Sequence, residues 1–284
     1  MKKKIWIIIG IVAAILLIAG ALYFFLGGLM AKEYDGPDVL VEAYAAYYDD
    51  EPYLSSKYEY DEDGNTTKIT NYSGGTISHW NDFEYDNGNM VKQTLYTSDE
   101  TVNEWYTCEY NQSGNVIKIT AYDSDGSVMQ SQEFKYDGSG NVTKQITRDS
   151  DGAINYLHEG EFDDSGNKTK ETQRDGDGNM IAYTELEYDN NGNMIKKRSY
   201  YDYGELYSQT EYEYDSHGNM TKEITYDSDG SILSRYEYTY EYDKNGNMIK
   251  RIQLDENGKN YYTVEFVYMP LGEYLAKKYI SPVQ

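Results

Sequence analysis

A Tyr-x-Tyr-Asp signature returns along this 284-residue chain at nearly constant spacing. Its copies end at Tyr60-Asp61, Tyr85-Asp86, Tyr110-Asn111, Tyr136-Asp137, Phe162-Asp163, Tyr188-Asp189, Tyr214-Asp215 and Tyr242-Asp243, in steps of 25, 25, 26, 26, 26, 26 and 28 residues. Gly-Asn follows three residues after each Asp or Asn, and one residue sooner after Asp86. A fixed period of this size means one supersecondary unit copied in tandem, each copy burying itself against its neighbours. Such arrays build surfaces. An active site would show as a break in the pattern.

Each unit divides into two halves. One ends at the Gly-Asn turn. The other ends at a second turn, in which Asp123, Asp149, Asp227 or Asp255 is followed three residues later by Gly126, Gly152, Gly230 or Gly258. The runs between turns are rich in Tyr, Thr, Ile and Val, which suits strands. Asp at the first turn position bonds nearby backbone, and the Gly takes the left-handed residue of a bulged hairpin loop. The unit therefore reads as a β-hairpin, and the chain as an all-β antiparallel meander with a curled or spiral sheet. Alternation agrees. In residues 232–242, Ser234, Tyr236, Tyr238, Tyr240 and Tyr242 share one face, while Arg235, Glu237, Thr239 and Glu241 share the other. The 28-residue step inserts two residues here, which preserves the facing of every side chain.

After residue 30, Leu, Ile, Val and Phe supply only 37 of 254 residues, and the net charge of the whole chain is -24. That composition alone would suggest disorder. The 33 tyrosines in the same span reverse this, because each buries a large ring while its hydroxyl finds water or a partner. The expected core is thin and tyrosine-lined.

Residues 1–4 read as a cytoplasmic tail, and the uncharged apolar residues 5–30 as a transmembrane signal anchor that sends the repeats outside the cell. A signal peptide cleaved after Ala21 is the competing reading. Residues 31–52 read as a linker and a short amphipathic capping helix over 38–48, with Asp35 or Asp38 as its cap. The repeats fill residues 53–268, and residues 269–284 form a C-terminal cap or tail beyond Pro270. Beyond residue 4, 22 basic residues face 49 acidic ones, a charge of -27. This excludes nucleic acid as a partner and leaves the membrane, through the N-terminal helix, and a surface protein or carbohydrate.

A strand ending in Tyr-x-Tyr-Asp, followed by x-x-Gly-Asn-Met, resembles the YD repeats of RHS-type proteins. Residues 212–220 and 240–248 are the best copies. The resemblance implies β-hairpin ribbons that curl into shells and present adhesive or carbohydrate-binding surfaces. Eight or so copies are too few to enclose a cargo domain, so surface interaction and not encapsulation is the expected role.

Two sets of residues are candidate sites. Asp61 with Asp63, and Asp175 with Asp177, are similar to calcium loops, although an EF-hand needs a longer ladder of ligands. The plain alternative is hairpin-turn chemistry. Tyr200, Tyr201 and Tyr203 are surplus to the pattern and are candidate ligand-facing aromatics. Cys108 stands where the motif places Tyr and reads as a packing residue. His79, His158 and His217 come with no nucleophile–base pair, metal cluster or phosphate loop. Asn-x-Ser/Thr sites such as Asn65, Asn141 and Asn219 follow from the repeat composition. The expected function is non-enzymatic binding or adhesion by a single-pass surface protein. A carbohydrate or cell-wall module and a cation-dependent spacer are the alternatives, with calcium the one conceivable cofactor.

Overall fold

The computed structural model describes residues 38–47, 52–255 and 257–280. They form eighteen strands and one helix. The strands begin with β1 (Asp38–Tyr47), β2 (Leu54–Tyr60) and β3 (Thr66–Ser73), and end with β14 (Leu206–Tyr214), β15 (Met220–Asp227), β16 (Ile232–Tyr242), β17 (Met248–Leu254) and β18 (Asn260–Pro270); α1 (Leu271–Ile280) follows. Each strand pairs antiparallel with the next in sequence, and β1 also pairs with β18. An even number of strands lets the alternation close on itself. The result is a closed 18-stranded antiparallel barrel. Residues 40–268 form one compact unit that carries it, and α1 falls outside that unit.

Local chemistry makes the hairpins, and bulges bend them. The β14–β15 ladder runs from Ser208 opposite Asp227 to Glu213 opposite Lys222, then slips so that Tyr214 faces Met220. The β15–β16 ladder slips likewise between Thr225 and Tyr226. A bulge beside a turn increases the local twist and bends the strand, and its repetition around the sheet favours closure.

The two faces differ in kind. One carries a cross-strand charge ladder: Lys92–Glu84 at 3.0 Å, Lys196–Glu211 at 2.9 Å, Lys222–Glu213 at 2.8 Å and Lys250–Glu265 at 2.9 Å. Flat aromatic pairs share it. Trp105 and Tyr122 stack at 3.8 Å between ring centroids, Tyr183 and Tyr200 at 4.6 Å, and Trp80 and Tyr96 at 5.0 Å. The other face carries the signature tyrosines and is the inward one. Burial raises the pKa of Tyr58, Tyr106, Tyr212 and Tyr238 there, and that of the Glu223 carboxyl. On the ladder face, by contrast, Glu84, Glu161 and Glu213 keep 62%, 68% and 65% of their side-chain area exposed.

The signature tyrosine hydroxyls donate to main-chain carbonyls twenty residues earlier. Tyr110 reaches Met90 at 2.6 Å, Tyr136 reaches Val116 at 2.5 Å, Tyr214 reaches Met194 at 2.8 Å and Tyr240 reaches Met220 at 2.5 Å. No large side chain among the described residues is fully buried. Gln132, Ala121 and Ser199 are the least exposed, at 3%, 4% and 4%. The core is one sheet thick, and stability is the sum of many small terms.

Several expectations are corrected. The sheet is neither open nor spiral, because β1 and β18 pair. The helix expected over 38–48 is strand β1: Glu42 to Ala45 lie opposite Lys57 to Leu54. Among the described residues no helix is long and apolar enough to cross a membrane, and α1 has 10 residues. Attachment to the membrane by an N-terminal helix, and with it a single-pass protein with extracellular repeats, therefore gives way to a β-barrel. Residues 5–30, on which the anchor rested, lie outside the described residues.

Candidate binding surface

Both kinds of turn share one geometry, apart from the two-residue turns at Asn87-Gly88 and Gly74-Gly75. In the first kind, Asp189 Oδ1 accepts the N–H groups of Asn191 at 2.8 Å and Asn193 at 2.9 Å, and Oδ2 accepts Asn193 Nδ2 at 2.9 Å. Gly192 completes the turn at φ 84°. In the second kind, Asp123 Oδ1 accepts from Asp125 at 3.0 Å and Ser127 at 2.9 Å, with Gly126 at φ 83°. This is the Asx chemistry that the sequence pattern implies.

Asp61 and Asp175 are turn-builders of this type. Asp61 Oδ1 takes the N–H groups of Asp63 and Asn65, and Oδ2 takes Asn65 Nδ2 at 2.9 Å. Burial pushes the Asp61 carboxyl up, but these hydrogen bonds outweigh it and hold the pKa below the usual value. Asn179 holds Asp175 down in the same way, through its side chain and its N–H. Asp63 and Asp177 sit at the third turn position and give their N–H groups to these carboxylates at 3.0 Å. Among the described residues no group of three or more His, Cys, Asp or Glu side chains is placed to hold a metal ion.

Neighbouring turns approach more closely than the spacing of alternate strands suggests. A Cβ built on Gly166, Gly192 or Gly218 would lie 3.5, 3.7 or 3.8 Å from the Oδ1 of Asn141, Asn167 or Asn193 in the preceding copy. Along this stretch of the Gly-Asn rim, Asn141, Asn167 and Asn193 each bind their own turn and lie beside the glycine of the next.

The three tyrosines divide. Tyr200 stacks on Tyr183, and its hydroxyl donates to Glu185 at 3.2 Å. Tyr201 and Tyr203 stack on each other at 5.3 Å with 7° between their planes, and Tyr207 lies 5.1 Å from Tyr201. Tyr203 is 69% exposed. Tyr201 occupies the turn position that Asp holds in other copies, so this turn trades its carboxylate for a ring. Sequence reasoning missed the wider setting. Ile77, Met129, Ile181, Tyr207 and Leu233 all take the second position of a strand that follows the second kind of turn, and all are exposed. Aligning the copies would have revealed the series.

Other titratable groups serve the fold. His158 Nδ1 lies 3.1 Å from Glu171 Oε1, and Lys168 donates to Oε2 at 2.6 Å. The His158 hydrogen bond is the largest influence on Glu171 and, with Lys168, outweighs burial to hold the carboxyl at about 2. His79 contacts Asn71 and Ser78, and His217 stacks on Tyr242. Cys108 faces inward, and burial raises its thiol pKa.

No protein-family model matches this chain, and no curated protein matches it. Solved structures do. A porin-like protein from Bacteroides uniformis is 14% identical, over 80% of this chain and 96% of that one, with a TM-score of 0.45. One from Bacteroides vulgatus is 11% identical, over 82% and 99%, with a TM-score of 0.37. The Tc holotoxin pore of Photorhabdus luminescens is 13% identical over 74% of this chain, which spans only 14% of that one, with a TM-score of 0.35. At these scores the closure described above stands on its own strand pairings.

Proposed function

We propose that this chain is a non-enzymatic surface binding protein, a short relative of the RHS-type repeat proteins whose hairpins close into a barrel. The exposed Tyr201–Tyr203–Tyr207 cluster carries the reading, because a ring that is 69% exposed at a turn contributes little to packing and aromatic rings are favoured at binding surfaces. A non-catalytic role fits the way the first-position turn aspartates, such as Asp189, bond their own loops and His158 pairs with Glu171. The outward face of Lys–Glu pairs is the reverse of the apolar band that a lipid-embedded barrel needs, so this barrel surface suits water.

The test is binding of the full-length chain to immobilised glycans, peptidoglycan fragments and surface proteins, repeated with Tyr201→Ser and Tyr203→Ser. Saturable binding that both substitutions weaken supports the reading. Turnover of any of these ligands would overturn it. Carbohydrate is the second reading, favoured by the near-parallel, exposed Tyr201 and Tyr203, which offer the flat surface that sugar rings stack on. Binding confined to glycans would select it.

A further inference from the structure

The two rims of the barrel are built by the same turn and decorated differently. Of the sixteen large apolar side chains left exposed among the described residues, twelve lie at the rim of the second kind of turn. They include Tyr53, Ile77, Met129, Tyr203, Tyr207 and Leu233. The Gly-Asn rim holds Ile117 and Ile195. The third turn position shows the same divergence. At the Gly-Asn rim it is mostly Ser or Asn, as at Ser113, Ser139, Ser165 and Asn191, with Asp63 and His217 the departures. At the apolar rim it is Asp99, Asp125, Asp151, Asp177 and Asp229, with Tyr203 and Asn257 the departures.

The fold does not require this. At Ser139, Asp125, Asp151 and Asp177 the third residue contributes only its N–H to the turn, at 2.9 to 3.0 Å, whereas the Asp99 and Asp229 carboxylates also bond Thr101 and Ser231 of their own turns. In the first four the side chain is free to vary. The carboxylates of Asp125, Asp151 and Asp177 are exposed and have no hydrogen-bond or ion-pair partner among the described residues. Lys259 is the lysine of these turns, and Arg148 and Arg174 reach them to donate to the Gly152 and Gly178 carbonyls at 3.1 and 3.4 Å. The rim therefore combines an exposed apolar and aromatic belt with carboxylates that no turn uses. Two copies meeting there rim to rim would place like charges together, which disfavours a self-interface.

We propose that this rim docks a Lys/Arg-rich amphipathic polypeptide segment, its apolar side chains against Tyr203, Tyr207 and Leu233 and its cations at Asp125, Asp151 and Asp177. The inference rests on the binding reading above and gives it a partner chemistry.

The experiment titrates the full-length chain into a fluorescein-labelled peptide of alternating Lys and Trp, followed by anisotropy. The variant Tyr203→Ser/Tyr207→Ser/Leu233→Ser removes the belt, and Ile117→Ser/Ile195→Ser is the opposite-rim control. Urea melts establish that both fold as the parent does, which their exposure leads us to expect. The belt variant should weaken binding about tenfold or more, and the control should not. Raising salt from about 50 to about 500 mM should also weaken it, because exposed charges are screened. Equal binding by the belt variant, or equal loss in the control, overturns the proposal. Binding of oligolysine as tight as the Lys–Trp peptide overturns it too, since charge alone would suffice. If glycans or phosphatidylcholine vesicles bind through the belt and the peptide does not, the polypeptide assignment fails while the binding reading stands. If none of the three binds, both fail.

Discussion

The hydroxyl of Tyr60 donates to the carbonyl of Leu40 at 2.6 Å. This is the bond that Tyr110 makes to Met90 and Tyr136 to Val116, now reaching into β1. By this contact β1 occupies the place of a hairpin's second strand, and the matching first strand is β18, where Phe266 and Tyr268 stand at the signature positions. The ninth hairpin is assembled from the first and last strands, and Tyr47 packs on Tyr261 and Tyr262 across the join at 5.7 and 4.8 Å.

Closure makes β1 a central strand. An edge strand tolerates proline and a central one does not, because proline donates nothing to the ladder. Ala43→Pro should therefore cost on the order of 3 kcal/mol and expose β2 and β18 to hydrogen exchange and proteolysis. Unchanged urea stability in this variant would mean that the sheet is open at β1.

The tyrosine bonds are separable from the rings that make them. Tyr136→Phe should cost about 1 kcal/mol, the net worth of one hydrogen bond. Phe162 is the copy that lacks the hydroxyl, and its ring and the Val142 carbonyl both lie beside Gly160, at 3.0 and 3.1 Å from where a Cβ would sit. Phe162→Tyr should place a hydroxyl on that carbonyl and raise the urea midpoint. A loss of stability would show that the ring cannot take the shared pose.

Backbone should outweigh charge at the turns. Gly192→Val puts a β-branched residue at φ 84°, which costs on the order of 1–2 kcal/mol. Asp189→Asn keeps the acceptor for two N–H groups, as Asn111 does for Ser113 and Asn115 at 2.9 Å, and should change stability by only about 0.5 kcal/mol. Urea melts with and without calcium compare the two. A strong rise in midpoint with calcium that Asp189→Asn abolishes would make the turns metal sites.

Acid should unfold the barrel over a definite window. Hydrogen bonds hold Asp137, Asp163, Asp175 and Asp189 below their usual value of 3.8, and Glu171 falls from 4.5 to about 2. A carboxyl whose folded pKa is depressed contributes stability that is complete above its unfolded pKa and is lost as pH falls through the folded one. The urea midpoint should therefore decline from about pH 4.5 toward about pH 2. Glu171→Gln should lower stability at neutral pH and flatten the decline. A midpoint that does not change across that window would show that the carboxylates are not bonded as described.

Much of this was legible locally. Asp and Gly at fixed turn positions name the turn, a period of two along each strand separates tyrosines from charges, and the even insertion in β16 keeps every side chain on its face. Tyr201 and Tyr203 stood out because they break the pattern. The sequence alone thus determined the hairpin, its turns and its two faces, since each depends on residues within one copy. It did not determine that the sheet closes. Asp38–Tyr47 is rich in Ala and apolar residues that suit helix or strand equally, and its state is decided by the edges it meets on β2 and β18, which lie at opposite ends of the repeats. The tyrosine-lined inner face was already legible in the alternation, and the pairing of β1 with β18 was settled by tertiary structure. Curvature accumulates over eighteen strands, and only a closed ring brings the first and last strands, more than two hundred residues apart, into one ladder.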